Sequence, residues 1–562
     1  EIKICQNCKT DFIVEPEDFD FYEKIKVPSP TWCPECRSVR RMTWRNERSL
    51  YKRKCEISGK EVITCFSPDS QVKILDRDVW WSDKWDPFVY GVDYDFNKNF
   101  FQQFRALLER VPMPSLFNSR CVQSDYGNHN GELKNTYLVF ATWGGEEIMY
   151  AKHAHNCQDC LDIFASQDSE LCYELINSTK LSRTAFAENS ESCIDCCFIY
   201  GCRACNNCFG CYNLRNKSYH IFNQPFDKET YFNKIKEFDL GNFNNLAGTK
   251  QKFNDFKLGA LRKFVRTYNC QNSTGDNLAN AANCRVCFDV NNDAKDLKYC
   301  INAANHINES YDCYGVGVNS DLLYEAVDAG ADGSRLNFDI FVWGGRNVFY
   351  SYGCHNSQNM FGCIGIHNKQ YCILNKKYSK EEYEQLLPKI IEQMNQVPYI
   401  DKKGRVYKYG EFFPSELSPF TYNESVAQEY FPITAQAATE AGFNWKQAET
   451  RNYKITIKAY DLPDHIKDIP DTIVNEVIGC AHQGRCNEQC TEAFRIMPQE
   501  LQFYRRMNLP LPRLCPNCRH YQRLKQRNPL KLWKRQCMRE GCPNTFETSY
   551  APDRPEIVYC ED

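Results

Sequence analysis

The stretch FGCYNLRNKSYHIFN, Phe209 to Asn223, returns as FGCIGIHNKQYCILN, Phe361 to Asn375. Both copies lead into the same kind of helix start, D-K-E-T-Y and S-K-E-E-Y, in which Asp227 and Ser379 are natural N-caps followed closely by glutamate. Upstream, W-G-G-E-E-I-M-Y at Trp143 to Tyr150 is echoed by W-G-G-R-N-V-F-Y at Trp343 to Tyr350, each followed by His-Asn at 155/156 and 355/356. Self-similarity at this scale marks a duplicated block, about 121–222 and 270–375.

A finer period runs inside each block. Tyr137, Met149, Cys160, Tyr173, Phe186, Cys197, Cys208 and Tyr219 recur at intervals of a dozen positions or so, and Phe288, Tyr299, Tyr311, Tyr324, Phe338, Phe349, Phe361 and Tyr371 do nearly the same. Short apolar triplets separated by Asn, Asp, Ser and Gly predict a solenoid of short strands and tight turns, with rungs ~4.8 Å apart. An ordinary antiparallel sandwich is the alternative. The K-E-[TE]-Y helices are candidates to cover the terminal rungs. W-G-G reads as a turn, and His153, His155, His306 and His355 as polar surface.

A second duplication brackets the first. Cys5-x2-Cys8 and Cys33-P-E-Cys36-R near the start match Cys486-x3-Cys490 and Cys515-P-N-Cys518-R near the end, with 24 residues from second to third cysteine in both. The interval from Cys36 to Cys55 likewise equals that from Cys518 to Cys537. Paired cysteines at these spacings predict two four-thiolate zinc sites, structural because all four positions are filled. Cys480 is a spare thiol that could replace Cys486. Proline after the third cysteine predicts a helix opening on the second knuckle, Cys36 to about Arg48. Cys537, Cys542 and Cys560 supply three ligands of a third site; the chain stops at Asp562, so a fourth cysteine is expected beyond it. In the N-terminal copy the matching stretch keeps Cys55 but has Ser67 to Asp69 and Leu75-Asp76 in place of the partners, a degenerate ribbon. Cys65 lies near the degenerate ribbon, and the other 19 cysteines lie in the two central blocks, where tyrosine, phenylalanine or methionine takes equivalent places, so they are expected to pack as small hydrophobes.

C-Q-N-C-K-T-D-F, D-F-Y and C-P-E-C-R resemble the zinc-ribbon (treble-clef) domain family of bacterial proteins, which carries C-x-x-C-x-x-x-F, E-x-F-Y and C-P-x-C-R. The likeness covers about 36 residues here and again 486–520. It implies zinc binding and brings no settled activity. The whole chain resembles large cysteine-rich proteins of uncultivated bacteria, which adds no function.

The expected architecture is mixed and β-rich: two duplicated short-strand, β-solenoid-like blocks with capping helices, flanked by treble-clef and zinc-ribbon modules. The divisions are 1–76 (treble clef with degenerate ribbon), 77–120 (aromatic and helical connector), 121–226 (first block), 227–269 (helical connector), 270–378 (second block), 379–479 (helical and irregular connector) and 480–562 (treble clef and third site). The 562 residues contain 33 cysteines, an odd number that forbids complete pairing within one chain. Thiolate zinc sites and free thiols point to a reducing cytoplasm. No apolar run approaches the ~18 residues of a membrane span.

Net charge is -3, yet residues 37–54 carry +7 and 505–539 carry +11, leaving -21 for the rest. Arg37, Arg40, Arg41, Arg45 and Arg48, with Arg519, Arg523, Arg527, Lys531, Lys534 and Arg535, interleave with Trp44, Tyr51, Tyr521 and Trp533. This is the footprint of phosphate-backbone binding with base stacking, so RNA, the ribosome or DNA is the leading partner. The alternative is a protein-interaction scaffold whose basic helices dock acidic surfaces, including the acidic middle of the same chain. No P-loop, H-E-x-x-H, G-x-S-x-G or dinucleotide fingerprint occurs, which favours a non-catalytic protein. An enzyme with an unrecognised site is the third reading.

Overall fold

A computed structural model describes residues 1–447 and 452–561. The fold is β-rich, with large parallel sheets and some helices: one sheet has 11 strands and another 14. We call them the first and second stacks. In the first, successive strands pair in parallel at a constant offset of 12, from Tyr137↔Met149 to Phe209↔Ile221. In the second the offset is 11 at the first pair, Thr267↔Leu278, then 12, 13 through the middle, as in Ile301↔Tyr314, and 12 again at the far end.

The cause is a three-residue backbone rhythm. Every third residue from His129 to Phe222 has a positive φ, glycine or not. Left-handed conformation costs a non-glycine residue roughly 1 kcal/mol or more, least for Asn and Asp. Asn156, Asp159, Asp162, Asp168, Asn177, Asn189, Asp195, Asn207, Asn213 and Asn216 occupy such corners. Four corners per turn leave four side chains facing a narrow interior, and Ile148, Ala151, Ala154, Cys157, Cys160 and Ile163 belong to that row, all buried. Only slim side chains fit it. Buried Ser, Thr and Cys in the row turn their hydroxyl or thiol back to the carbonyl two residues earlier, as Ser166 does to Phe164 (3.2 Å) and Cys160 to Gln158 (3.1 Å). The central cysteines are thus mostly interior packing with a satisfied S–H; Cys197 differs, facing outward. The aromatic set expected from spacing mixed the two faces. In register, Tyr137, Met149, Leu161, Tyr173, Ala185, Cys197, Phe209 and Ile221 form one outward stripe.

Each stack ends with the chain doubling back antiparallel and entering a helix, Lys228–Glu237 capped by Asp227 and Lys380–Gln396 capped by Ser379. Tyr231 meets Tyr219 at 5.7 Å, and Tyr383 meets Tyr371 at 5.8 Å, so both helices lie on the last strand. Among the described residues no helix is long and apolar enough to cross a membrane.

The terminal modules share one plan. A helix (Pro16–Ile25 or Pro498–Met507) precedes a knuckle helix (Pro34–Met42 or Pro516–Lys525), then a hairpin (51–64 or 533–548). The first knuckle helix stops at Met42, well short of Arg48. Docking of the helices is crossed: the N-terminal pair packs on the second stack and the C-terminal pair on the first, as Phe21 stacked on Tyr311 (4.0 Å) and Tyr504 against Tyr173 (5.8 Å) show, whereas the end of the C-terminal hairpin reaches the second stack through Ser549 and Asp276 (2.6 Å).

Candidate metal centres

Cys5, Cys8, Cys33 and Cys36 place their sulfurs within 4.8 Å of one another. Cys5 follows the first strand of a hairpin, Ile2–Ile4, and the chain turns through Lys9, whose φ is 64°. Cys33 is the N-cap of the knuckle helix, and its N–H donates to the Cys5 sulfur at 3.2 Å. Asn7 donates to Cys36 Sγ at 3.2 Å, and Cys8 lies 3.7 Å from Cys33. Four sulfurs around an ion with ~2.3 Å bonds stand about 3.8 Å apart, so this cluster fits a tetrahedral metal site. Hydrogen bonding from Cys33 drives the Cys5 thiol far below its ordinary value while Cys33 and Cys36 are pushed up, the pattern of one negative charge shared among close sulfurs.

The second centre corrects the spacing argument. Cys480, not Cys486, joins Cys490, Cys515 and Cys518. Backbone bonds prove the equivalence: Cys480 N–H donates to Glu492 O as Cys5 N–H does to Thr10 O, and Cys515 N–H donates to Cys480 Sγ at 3.3 Å. Hydrogen bonding from Cys480 lowers the Cys490 thiol to about 6. Cys486 sits in the longer loop between the knuckle cysteines, 3.7 Å from Cys518.

At the third centre Cys537, Cys542 and Cys560 converge, with Cys542 and Cys560 3.7 Å apart. Cys537 is lowered to about 7, first by the Cys560 backbone N–H. In the N-terminal copy Cys55 N–H bonds Lys60 O as Cys537 N–H bonds Asn544 O. There Asp76 stands in the place of Cys560, and its carboxylate instead accepts from Asp78 N–H at 3.0 Å.

The arginines expected on a phosphate-binding face are inside. Arg37, Arg40 and Arg41 are each 1% exposed. Arg37 (2.8 Å) and Arg41 (3.2 Å) pinch Asp312 of the second stack, while Arg40 joins Glu325 (2.6 Å) and Glu411 (2.7 Å). The other module repeats the lock: Arg519 (3.2 Å) and Arg523 (2.6 Å) pinch Asp162 of the first stack. Arg45 meets Glu47 and Asp328, and Arg527 meets Asp289 at 2.6 Å. Arg48 is half-buried, donating to Asn517 at 3.1 Å over the Phe140 ring. Trp44 and Tyr521 are buried too. Of the expected basic set, Lys531 and Lys534 are exposed; Lys531 pairs with Glu35 at 3.2 Å, and half-buried Arg535 donates to Ala551 O. These helices are spoken for by carboxylates of their own chain.

Between the two locks runs a buried chain of charge. Lys152 bridges Glu47 (2.6 Å) and Glu429 (3.0 Å), and His520 contacts Glu429 at 2.9 Å. Burial works against ionising Glu429, yet Lys152 and His520 hold it at about 2, while burial drives His520 down to about 3. The neutral imidazole therefore donates to the carboxylate.

Sequence reasoning missed a cleft of about 940 Å³ between the stacks. Its walls carry eight Lys or Arg against four Asp or Glu. One column on the first stack, Gln167, Thr179, Glu191, Arg203 and Arg215, repeats once per turn at the offset of the strands themselves. At one end stand Trp143 and Trp343, 6.2 Å apart. The W-G-G repeat is a backbone corner beside them: Gly144 and Gly344 have φ near 70°, and an added Cβ would lie 2.4 Å from Asn156 or Asn356 Oδ1. His155 and His355 accept the Trp143 and Trp343 backbone N–H at 3.1 Å, and His355 is buried, not surface.

No protein-family model matches the chain, and no curated protein matches it.

Proposed function

We propose that this is a non-catalytic zinc protein in which treble-clef and ribbon modules staple two β-solenoids together, and that the cleft between the solenoids binds single-stranded nucleic acid. The observation that carries this reading is the cleft surface. Lys180, Arg203, Arg215 and Lys263 line it and are exposed, beside Trp143 and Tyr268, which are 41% and 62% exposed. A cationic track with sequence-tolerant aromatic faces is how extended strands are held; each stacked base contributes ~1–3 kcal/mol. Glu191, 3.5 Å from Arg203, and Glu561, paired with Lys263, offset part of that charge.

The interface thus moves from the knuckle helices to the cleft. The docking alternative is favoured by a separate observation, because those helices do dock acidic surfaces within the chain. Sulfur geometry and ligand type support zinc as the ion.

Fluorescence anisotropy with labelled oligouridine at low salt tests the reading. Binding should weaken with salt at a log–log slope of about -3 if four cations meet phosphates. Trp143→Ala with Arg215→Glu should abolish binding while the melting temperature stays put. No binding by metal-loaded protein, or binding indifferent to these changes, sinks the proposal.

A further inference from the structure

The C-terminal module departs from its N-terminal duplicate in one place beside the metal. Between the first two ligands the N-terminal copy has Gln6 and Asn7, whereas Cys480 and Cys490 are separated by residues 481–489, seven more. That loop carries His482, Cys486 and Glu488. Their ligand atoms and the Cys518 sulfur all lie within 4.8 Å of one another. Cys486 Sγ is 3.7 Å from Cys518 Sγ. His482 Nδ1 and Glu488 Oε2 approach to 3.1 Å, an ion pair only when the imidazole is protonated; both atoms are shielded from solvent with no other partner, although the His482 side chain is 31% exposed, while Glu488 is only 6% exposed. Lys525 pairs with the other carboxylate oxygen and leaves Oε2 facing His482.

The duplicate shows what the loop replaces. Cys36, the counterpart of Cys518, receives an amide hydrogen bond from Asn7. Among the described residues no side-chain amide is hydrogen-bonded to Cys518; a thiol, an imidazole and a carboxylate converge on it instead. One nitrogen, one oxygen and two sulfurs form a complete tetrahedral set for a zinc-type ion. Cys518 also belongs to the Cys480, Cys490 and Cys515 tetrad. It lies in the first turn of the Pro516–Lys525 helix, where the positive helix end favours a thiolate.

We propose that the C-terminal module binds two divalent ions of zinc type, the second held by His482, Cys486 and Glu488, with the Cys518 thiolate bridging both. Forming the second site displaces the Cys486 thiol proton and leaves His482 neutral.

The test is metal content of the full chain after zinc loading and removal of loose ion, with cadmium NMR of the cadmium-substituted protein. His482→Ala combined with Glu488→Gln should lower the content by one equivalent per chain. A second variant replacing residues 481–489 with Gln-Asn, as in the N-terminal copy, should lose the same single equivalent and stay folded by circular dichroism. Two cadmium resonances coupled through a shared sulfur are expected from the unaltered protein and one fewer from either variant. Unchanged metal content in both variants, or no metal–metal coupling in the parent, overturns the proposal and leaves Cys486 as an unused thiol.

Discussion

His520 shows how far one side chain can be displaced from its solution chemistry. Its ring is buried between Glu429 and the Phe164 face, and burial drives it down to about 3 from an unfolded value near ~6.5. The folded form therefore refuses a proton that the unfolded chain accepts. The stabilisation from keeping this histidine neutral is complete above pH ~6.5 and is lost as pH falls toward about 3. His153, lowered to about 3 by burial, acts in the same direction. Replacing His520 with glutamine should flatten the fall in urea-unfolding free energy between pH ~6.5 and ~4.5 by up to ~1.4 kcal/mol per unit. An unaltered slope contradicts the assignment.

At the scale of elements, the unit is a knuckle helix pinching one aspartate at a left-handed corner. Asp162 and Asp312 have φ of 58° and 55°, and each holds two arginines four residues apart. Asp162→Ala would leave two buried guanidinium groups without their carboxylate and should cost ~3–5 kcal/mol by chemical denaturation. Lys534→Ala, on an exposed hairpin position, should cost under ~0.5 kcal/mol. This lock also marks where the sequence stopped being legible. Net charge revealed the arginine clusters, but a guanidinium is neutralised as well by a carboxylate as by a phosphate, and spacing cannot choose. The duplications, the Asp227 and Ser379 caps and the cysteine knuckles were readable because each rests on local chemistry. Cys480 was harder, because loop length between ligands is not fixed by coordination and the nearer Cys486 imitates a knuckle. The three-residue rhythm was present in the Asn, Asp and Gly positions from Gly144 to Asn216, yet aromatic residues on the outer stripe drew attention to the longer period.

For the whole molecule, the crossed docking of the helices would make a metal held by the cysteine clusters a remote support of the stacks. A structural zinc site contributes apparent binding energy on the order of 10 kcal/mol to a small module. Chelation should therefore release the modules, uncover Tyr150 and Tyr173 on the first stack, and raise binding of an apolar dye while far-ultraviolet β signal persists. Limited proteolysis should then cut first near 481–489 and 37–48. A melt and a cleavage pattern indifferent to chelator contradict this. The crossing also imposes an order in time. Tyr150 and Asp162 leave the ribosome some 350 residues before Glu500 and Arg523, their partners. At ~5–20 residues per second the first stack waits for tens of seconds with an apolar stripe and an unpaired buried carboxylate facing outward. For that interval the nascent chain is a different molecule from the finished one, and chaperones are the natural guardians of its uncovered side.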